Sequence, residues 1–263
     1  MKDRYRPRRM LAGALRRAAA KFSYAAGRVE DPGLQDLLRR GLPRGAYASL
    51  GRKWLRDMRF RTVLDVGANV GDFAKAAHAL FPDAAVYSFE PLPDCFAELQ
   101  RAMDGVPHFK AFNVGLGAAR GELEFNRSTF SPSSSFRKMS KTHEENYPWT
   151  AGGEKIRVTV ATLDGLLGDL ELARPALMKI DVQGYEDQVL AGAVRTCGQV
   201  DALVVEVSYE TLYEGQPLFD DIHKTLVQMG FAYHGNIEQV DERLTGRPLC
   251  ADAFFVRRQG KGD

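Results

Sequence analysis

Apolar residues arrive in short blocks separated by stretches of helical periodicity, and this alternation runs from residue 62 almost to the C-terminus. Thr62–Val66 is an apolar block carrying one acid, Asp65. It ends in Gly67-Ala68-Asn69-Val70-Gly71, and residues 72–81 then repeat at helical spacing. The pattern reads as a buried strand, a tight glycine turn and a helix N-terminus. Residues 85–89 form a second strand, 93–103 a helix and Pro107–Asn113 a third strand. Gly115-Leu116-Gly117 turns the chain, and Glu122–Phe125 alternates like a hairpin strand whose expected partner is Lys155–Val160. Helices follow at Leu163–Leu170, Asp187–Thr196 and Phe219–Met229, between strands at Ala176–Asp181 and Ala202–Val207. Residues 231–234 and 252–257 close the series as an antiparallel pair. Strands alternating with helices predict an α/β fold, a doubly wound sheet that is mostly parallel with an antiparallel C-terminal edge.

Two regions stand outside this rhythm. Upstream, Leu11, Leu15, Ala18, Ala19 and Phe22 share one face of a helix over Met10–Phe22, with Arg16, Arg17 and Lys21 opposite. Asp31-Pro32-Gly33 and Gly41-Leu42-Pro43-Arg44-Gly45 break the chain. Residues 46–58 then form a helix whose expected buried face is Leu50, Trp54 and Leu55. Residues 1–58 are therefore read as a basic N-terminal helical extension and 59–263 as the α/β domain. The second region, Ser128–Gly153, is polar, serine-rich and without periodicity. A long excursion of this kind inside a compact domain reads as a lid or a disordered loop, and Tyr147 and Trp149 favour a lid that buries a substrate.

Charge refines the picture at one end only. The chain of 263 residues has a net charge of +2, with +8 in residues 1–28 and −6 in the remainder. That balance argues against a nucleic-acid binder. The basic helix suits packing on the domain edge or a partner subunit, or peripheral contact with an anionic membrane surface. Three scattered cysteines without a CxxC pair, and no apolar run long enough to span a bilayer, point to a soluble cytoplasmic protein.

The chemistry converges on the first turn. Gly67 and Gly71 lack a Cβ and let a ligand approach the backbone. Asp65 sits near the C-terminal end of its strand, where open α/β sheets bind ligands. Glu90, ending the second strand before Pro91, is placed to accept both hydrogen bonds of a ribose diol. The turn is G-A-N-V-G rather than G-x-G-x-x-G, which weakens a pyrophosphate cradle, and an acid beside it suits a cationic nucleoside such as S-adenosylmethionine. Asp181 and Glu206 end two core strands. As neighbours they would present two carboxylates to one site, able to share a proton, hold a divalent cation or divide base and binding work. His143 is a further candidate base.

LDVGANVGDF, FEP at Phe89–Pro91, FNVGLG at Phe112–Gly117, the serines at 133–135, TLD at Thr162–Asp164 and MKIDVQGYE at Met178–Glu186 occur in that order. The series resembles the FkbM family of S-adenosylmethionine-dependent methyltransferases over roughly residues 60–257, with Gln183 standing where the family usually has an acid. The resemblance implies a class I methyltransferase (Rossmann-like) fold and O-methylation of a sugar, glycan or polyketide-type hydroxyl. It places Asp65, Gly67, Ala68, Asn69, Gly71 and Asp72 around the cofactor loop, and Glu90 with Pro91 at the ribose. Asn113 and Val114 fall at the adenine, and Asp181 near the methionine portion and the transferring methyl. Ser134, Ser135, Tyr147 and Trp149 are the acceptor-binding candidates, the serines as hydrogen-bond donors or as a flexible hinge. A non-catalytic binding or assembly protein and a nicotinamide-dependent oxidoreductase are the competing readings.

Overall fold

The computed structural model describes residues 50–242 and 245–258. The helix expected at Met10–Phe22 and the basic residues around it lie outside the described residues, and of the helix expected over residues 46–58 the described part is a short helix at Lys53–Arg56. A seven-stranded sheet runs in the order β3-β2-β1-β7-β8-β10-β9. Its strands are β1 (Thr62–Val66), β2 (Ala85–Phe89), β3 (Phe109–Phe112), β7 (Ala176–Ile180), β8 (Ala202–Ser208), β9 (Phe231–Asp241) and β10 (Pro248–Arg257). The first three, β7 and β8 pair in parallel, whereas β10 is antiparallel to both β8 and β9. Reversal of strand order on either side of β1 opens a crevice at the C-terminal strand ends. A smaller sheet, β4 (Gly115–Leu116), β6 (Gly153–Ala161) and β5 (Gly121–Ser128), in the order β4-β6-β5, stands beside that crevice.

All five residues of β1 are buried, because helices cover both faces of the sheet at its centre. One core joins Leu64, Val66, Met178, Ile180, Leu203 and Val205 to Leu190, Ile222 and Leu226 from the covering helices. Each such side chain contributes roughly 1.5–3 kcal/mol when fully buried.

Several boundaries differ from the sequence reading. The helix expected over Asp187–Thr196 is two helices, Glu186–Ala191 and Val194–Gln199. Gly192 separates them where a Cβ would come within 2.1 Å of the Gly117 carbonyl oxygen. The helix from Leu163 stops at Leu167, where Gly168 takes φ of 55°. The closing pair extends well beyond the short segments expected, over 231–241 and 248–257. Leu50 and Leu55 are buried as expected, but Trp54 is 45% exposed and meets Phe254 edge-on.

The segment 128–153 is not an unstructured excursion. Ser128 ends β5, a 3-10 turn spans Ser131–Ser133, and Asn126 bridges Ser135 antiparallel. A helix follows at Lys141–Asn146, capped by Ser140 Oγ accepting from the His143 N–H. Its order comes from side-chain to backbone hydrogen bonds, a signal that hydrophobic periodicity does not carry.

Candidate active site

Register brings the charged residues together. Asp65 lies across from Ser88 on one side and Lys179 on the other, and Asp252 lies across from both Glu206 and Glu238. Directly paired residues share a face of the sheet, so acids from β8, β9 and β10 form a row. Lys179 Nζ donates to Asp181 Oδ2 at 3.0 Å. Burial works against the Lys179 charge, but Asp181, Asp65 and Asp252 outweigh it and raise its pKa. Burial likewise opposes the charge on Asp181, yet Lys179 and hydrogen bonds from Gln183, Lys179 and Glu206 hold its carboxyl below the usual range. Glu206 goes the other way: burial, then Asp181, Glu186 and Asp252, push it well above the usual range.

The glycine turn closes against this cluster. Gly67 has φ of 81°, and a Cβ there would sit 1.9 Å from the Asp181 carbonyl oxygen. The Gly67 and Ala68 N–H groups donate to the Phe89 carbonyl at 3.0 and 3.1 Å. Glu90 accepts from the Asn69 N–H through Oε2 and from the Leu92 N–H through Oε1, both at 2.8 Å. Burial raises its carboxyl to about 7. Asp65 is fully buried beneath the turn; Ser88 Oγ donates to its Oδ2, and its Oδ1 has no hydrogen-bond partner. Burial raises Asp65 to about 6.

Two cavities meet at Gly67, Asn69, Pro132 and Asp181. The first is walled by Phe89, Glu90, Pro91, Leu92, Val114, Leu116, Phe125, Phe136, Ser134 and Gln183 among others. Among the described residues its lining includes two carboxylates, Glu90 and Asp181, and neither lysine nor arginine. The second is bounded by Ala68, Asp72, Phe73, Lys179, Asp252 and Glu238.

The structure therefore brings Gly67, Ala68, Asn69, Asp72, Glu90, Pro91, Val114, Ser134 and Asp181 to these cavities. Gly71 stands one step back, its φ of 88° starting the next helix. Asn113 Nδ2 braces the wall, donating to the Glu90 and Pro91 carbonyls at 2.9 and 3.0 Å. Ser135 is buried and donates to the Gln183 carbonyl at 2.7 Å. His143, Tyr147 and Trp149 line neither cavity. His143 is buried between the rings of Tyr147 and Tyr213, with Nε2 3.1 Å from Thr150 Oγ1, and burial lowers its pKa. Trp149 is 48% exposed.

Lys179, Tyr213, Phe136 and Asp252 escaped the sequence reading. Lys179 alone left a trace, as a lone cation inside the apolar run of β7. Among the described residues no group of three or more His, Cys, Asp or Glu is arranged to hold a metal ion. The Gln183 amide nitrogen stands 2.8 Å from an oxygen of both Asp181 and Glu206, in the place a bridging divalent cation would take. A cationic nucleoside does fit: the backbone closes tightly at Gly67, an acid stands at the end of β2, and the first cavity has an apolar wall.

Comparison with known proteins agrees with this geometry. Residues 65–233 match the Methyltransferase FkbM domain family. The chain is 30% identical over 161 residues to 2-O-methyltransferase NoeI of Sinorhizobium fredii, covering 59% of this chain and 66% of that protein. It is 32% identical over 153 residues to 31-O-demethyl-FK506 methyltransferase FkbM of Streptomyces tacrolimicus, covering 49% and 58%. It is 30% identical over 146 residues to hexuronic acid methyltransferase AglP of Haloferax volcanii, covering 54% of each. The match spans between about half and two thirds of the length of these relatives.

Proposed function

This chain belongs to the FkbM methyltransferase family, and on that premise we propose that it transfers a methyl group from S-adenosylmethionine to a hydroxyl of a sugar, glycan or polyketide-type natural product. The observation that carries the proposal is the first cavity, with acids at Glu90 and Asp181 and an apolar wall. Among the described residues a pyrophosphate-bearing dinucleotide would meet two carboxylates and no basic side chain there, which favours a cationic nucleoside over the nicotinamide reading. The names of two relatives, 2-O-methyltransferase NoeI and 31-O-demethyl-FK506 methyltransferase FkbM, support an oxygen nucleophile, and that of hexuronic acid methyltransferase AglP a sugar acceptor.

Bound in this cleft, S-adenosylmethionine supplies an electrophilic methyl on a positively charged sulfur. The protein's part is alignment and proton handling. Glu90 keeps a lone pair on each carboxylate oxygen beyond its two backbone bonds and would accept the ribose hydroxyls. Val114, Leu116 and Phe89 would flank the base. Gly67 and Asn69 would line the path toward Asp181, and the Lys179 cation with its surrounding acids suits a zwitterionic amino-acid end. Asp181, its charge favoured by Lys179, would accept a hydrogen bond from the acceptor hydroxyl and take its proton as that oxygen bonds to the methyl and the methyl's bond to sulfur breaks, releasing S-adenosylhomocysteine. Most of the acceleration comes from fixing that oxygen in line with the methyl.

Calorimetric titration with S-adenosylhomocysteine tests the cofactor half of this reading. Glu90→Ala should weaken binding by about 10–100-fold, the loss of one to two hydrogen bonds to a charged group. Unchanged affinity in that variant would remove Glu90 from the cofactor site.

We assign 128–153 the role of a lid over the acceptor, seated at rest by Ser135, Ser133 and Tyr213. Hydrogen exchange over Lys141–Ala151 should slow when S-adenosylhomocysteine and acceptor are both present. Identical exchange with and without them would make the segment a fixed wall.

A further inference from the structure

Gln183 follows β7 with φ of 57°, a left-handed conformation that costs a residue with a Cβ roughly 1–2 kcal/mol. Its side chain is engaged at both ends. Nε2 donates to Asp181 Oδ1 and to Glu206 Oε2, each at 2.8 Å. Oε1 lies 2.8 Å from the Tyr213 hydroxyl, which also stands 3.1 Å from the Ser133 carbonyl. Turned over, the amide would set its oxygen against two acids, so the charge distribution fixes which way it points. The Gln183 carbonyl in turn accepts from Ser135 Oγ.

Two acids this close repel unless a proton or a positive group stands between them. A hard divalent ion filling that role would sit about 2.0–2.6 Å from oxygen ligands. Here a neutral nitrogen donor stands at hydrogen-bond distance from both, and the far oxygen of Asp181 already holds an ammonium.

We propose that Gln183 is a positioning residue that takes the place of a cation between Asp181 and Glu206, fixing the Asp181 carboxylate and making methyl transfer by this chain independent of divalent ions. The proposal rests on the methyltransferase reading above. It deepens that reading by assigning metal independence to one side chain. Tyr213 and Ser135 hold Gln183 from outside the sheet, so the lid segment and the carboxylate pair meet at a single residue.

The test compares the full-length wild type with Gln183→Met, which keeps length without donors, and Gln183→Glu, which adds a third carboxylate. Turnover with an accepted hydroxyl substrate is measured in EDTA and in Mn2+, and Mn2+ binding to each protein without other ligands is measured by calorimetry. Wild-type turnover should be the same in both buffers, with no Mn2+ binding. Gln183→Met should lower kcat by about 100-fold through misplacement of Asp181, with acceptor KM unchanged and no rescue by Mn2+. Gln183→Glu should bind Mn2+ and regain at least roughly tenfold in turnover when the ion is added, the scale of a ligand-shell effect. Mn2+ binding by the wild type, loss of its turnover in EDTA, or normal kcat in Gln183→Met would overturn the proposal. Should Gln183→Met fail to fold, Gln183→Glu decides, and its failure to bind Mn2+ counts against the inference. A wild type that methylates no hydroxyl contradicts the methyltransferase reading, while Mn2+ binding to wild type and Gln183→Glu still decides the role of Gln183.

Discussion

Asp181→Asn is expected to lower methyl transfer by about 10²–10⁴-fold, the range of a general base lost from a positioned site. The substitution keeps the side chain's shape and removes the charge that Lys179 stabilises at 3.0 Å. Lys179 retains Asp65 and Asp252 as counter-charges, so the fold should survive and the melting temperature should move little. Binding of S-adenosylhomocysteine should change much less than kcat, because the first cavity keeps Glu90 and its apolar wall. Steady-state kinetics with a defined acceptor, alongside calorimetry, separate the two effects. Near-normal kcat would mean that alignment alone suffices and that Asp181 takes no proton.

The second large effect is expected at Gly67. An alanine there must hold φ of 81° and place its Cβ 1.9 Å from the Asp181 carbonyl oxygen. The left-handed conformation and the forced separation of two chains together cost about 2–5 kcal/mol. In a domain of this size that corresponds to a drop in melting temperature on the order of 10 °C. The same displacement moves Asp181, which borders both cavities, so cofactor affinity and turnover should fall together. A stable Gly67→Ala variant with wild-type affinity would show that the turn has slack the structure does not display.

The parts of this site that were legible in the sequence are those where a local pattern carries the physics. The apolar run of β1 ending in Gly67-Ala68-Asn69-Val70-Gly71 announced a strand, a turn and a helix, and Glu90 announced itself by ending the next strand. Whether the strands bearing Asp181 and Glu206 are neighbours stayed open in the sequence, and the parallel pairing of β7 with β8 makes them so. What local pattern cannot carry is contact between distant segments. Gly192 splits a helix because the Gly117 carbonyl crosses above it. Tyr213 reaches Gln183 from a loop after β8 that shows no periodicity. His143 and Trp149 drew notice by residue type, and only packing revealed that one is enclosed by Tyr147 and Tyr213 while the other faces outward. Register made the difference for Lys179. It stands directly across from Asp65, a residue far away along the chain.

The most direct measurement is transfer of isotope-labelled methyl from S-adenosylmethionine to a panel of hydroxyl acceptors spanning monosaccharides, uronic acids, glycolipids and macrolides, with the product's methyl position read by mass spectrometry and NMR. The account predicts stoichiometric S-adenosylhomocysteine and a labelled methyl ether on oxygen, in EDTA as well as in buffer, slowed about 10²–10⁴-fold by Asp181→Asn. Label appearing on nitrogen or carbon, or a protein that binds no S-adenosylhomocysteine, would contradict it.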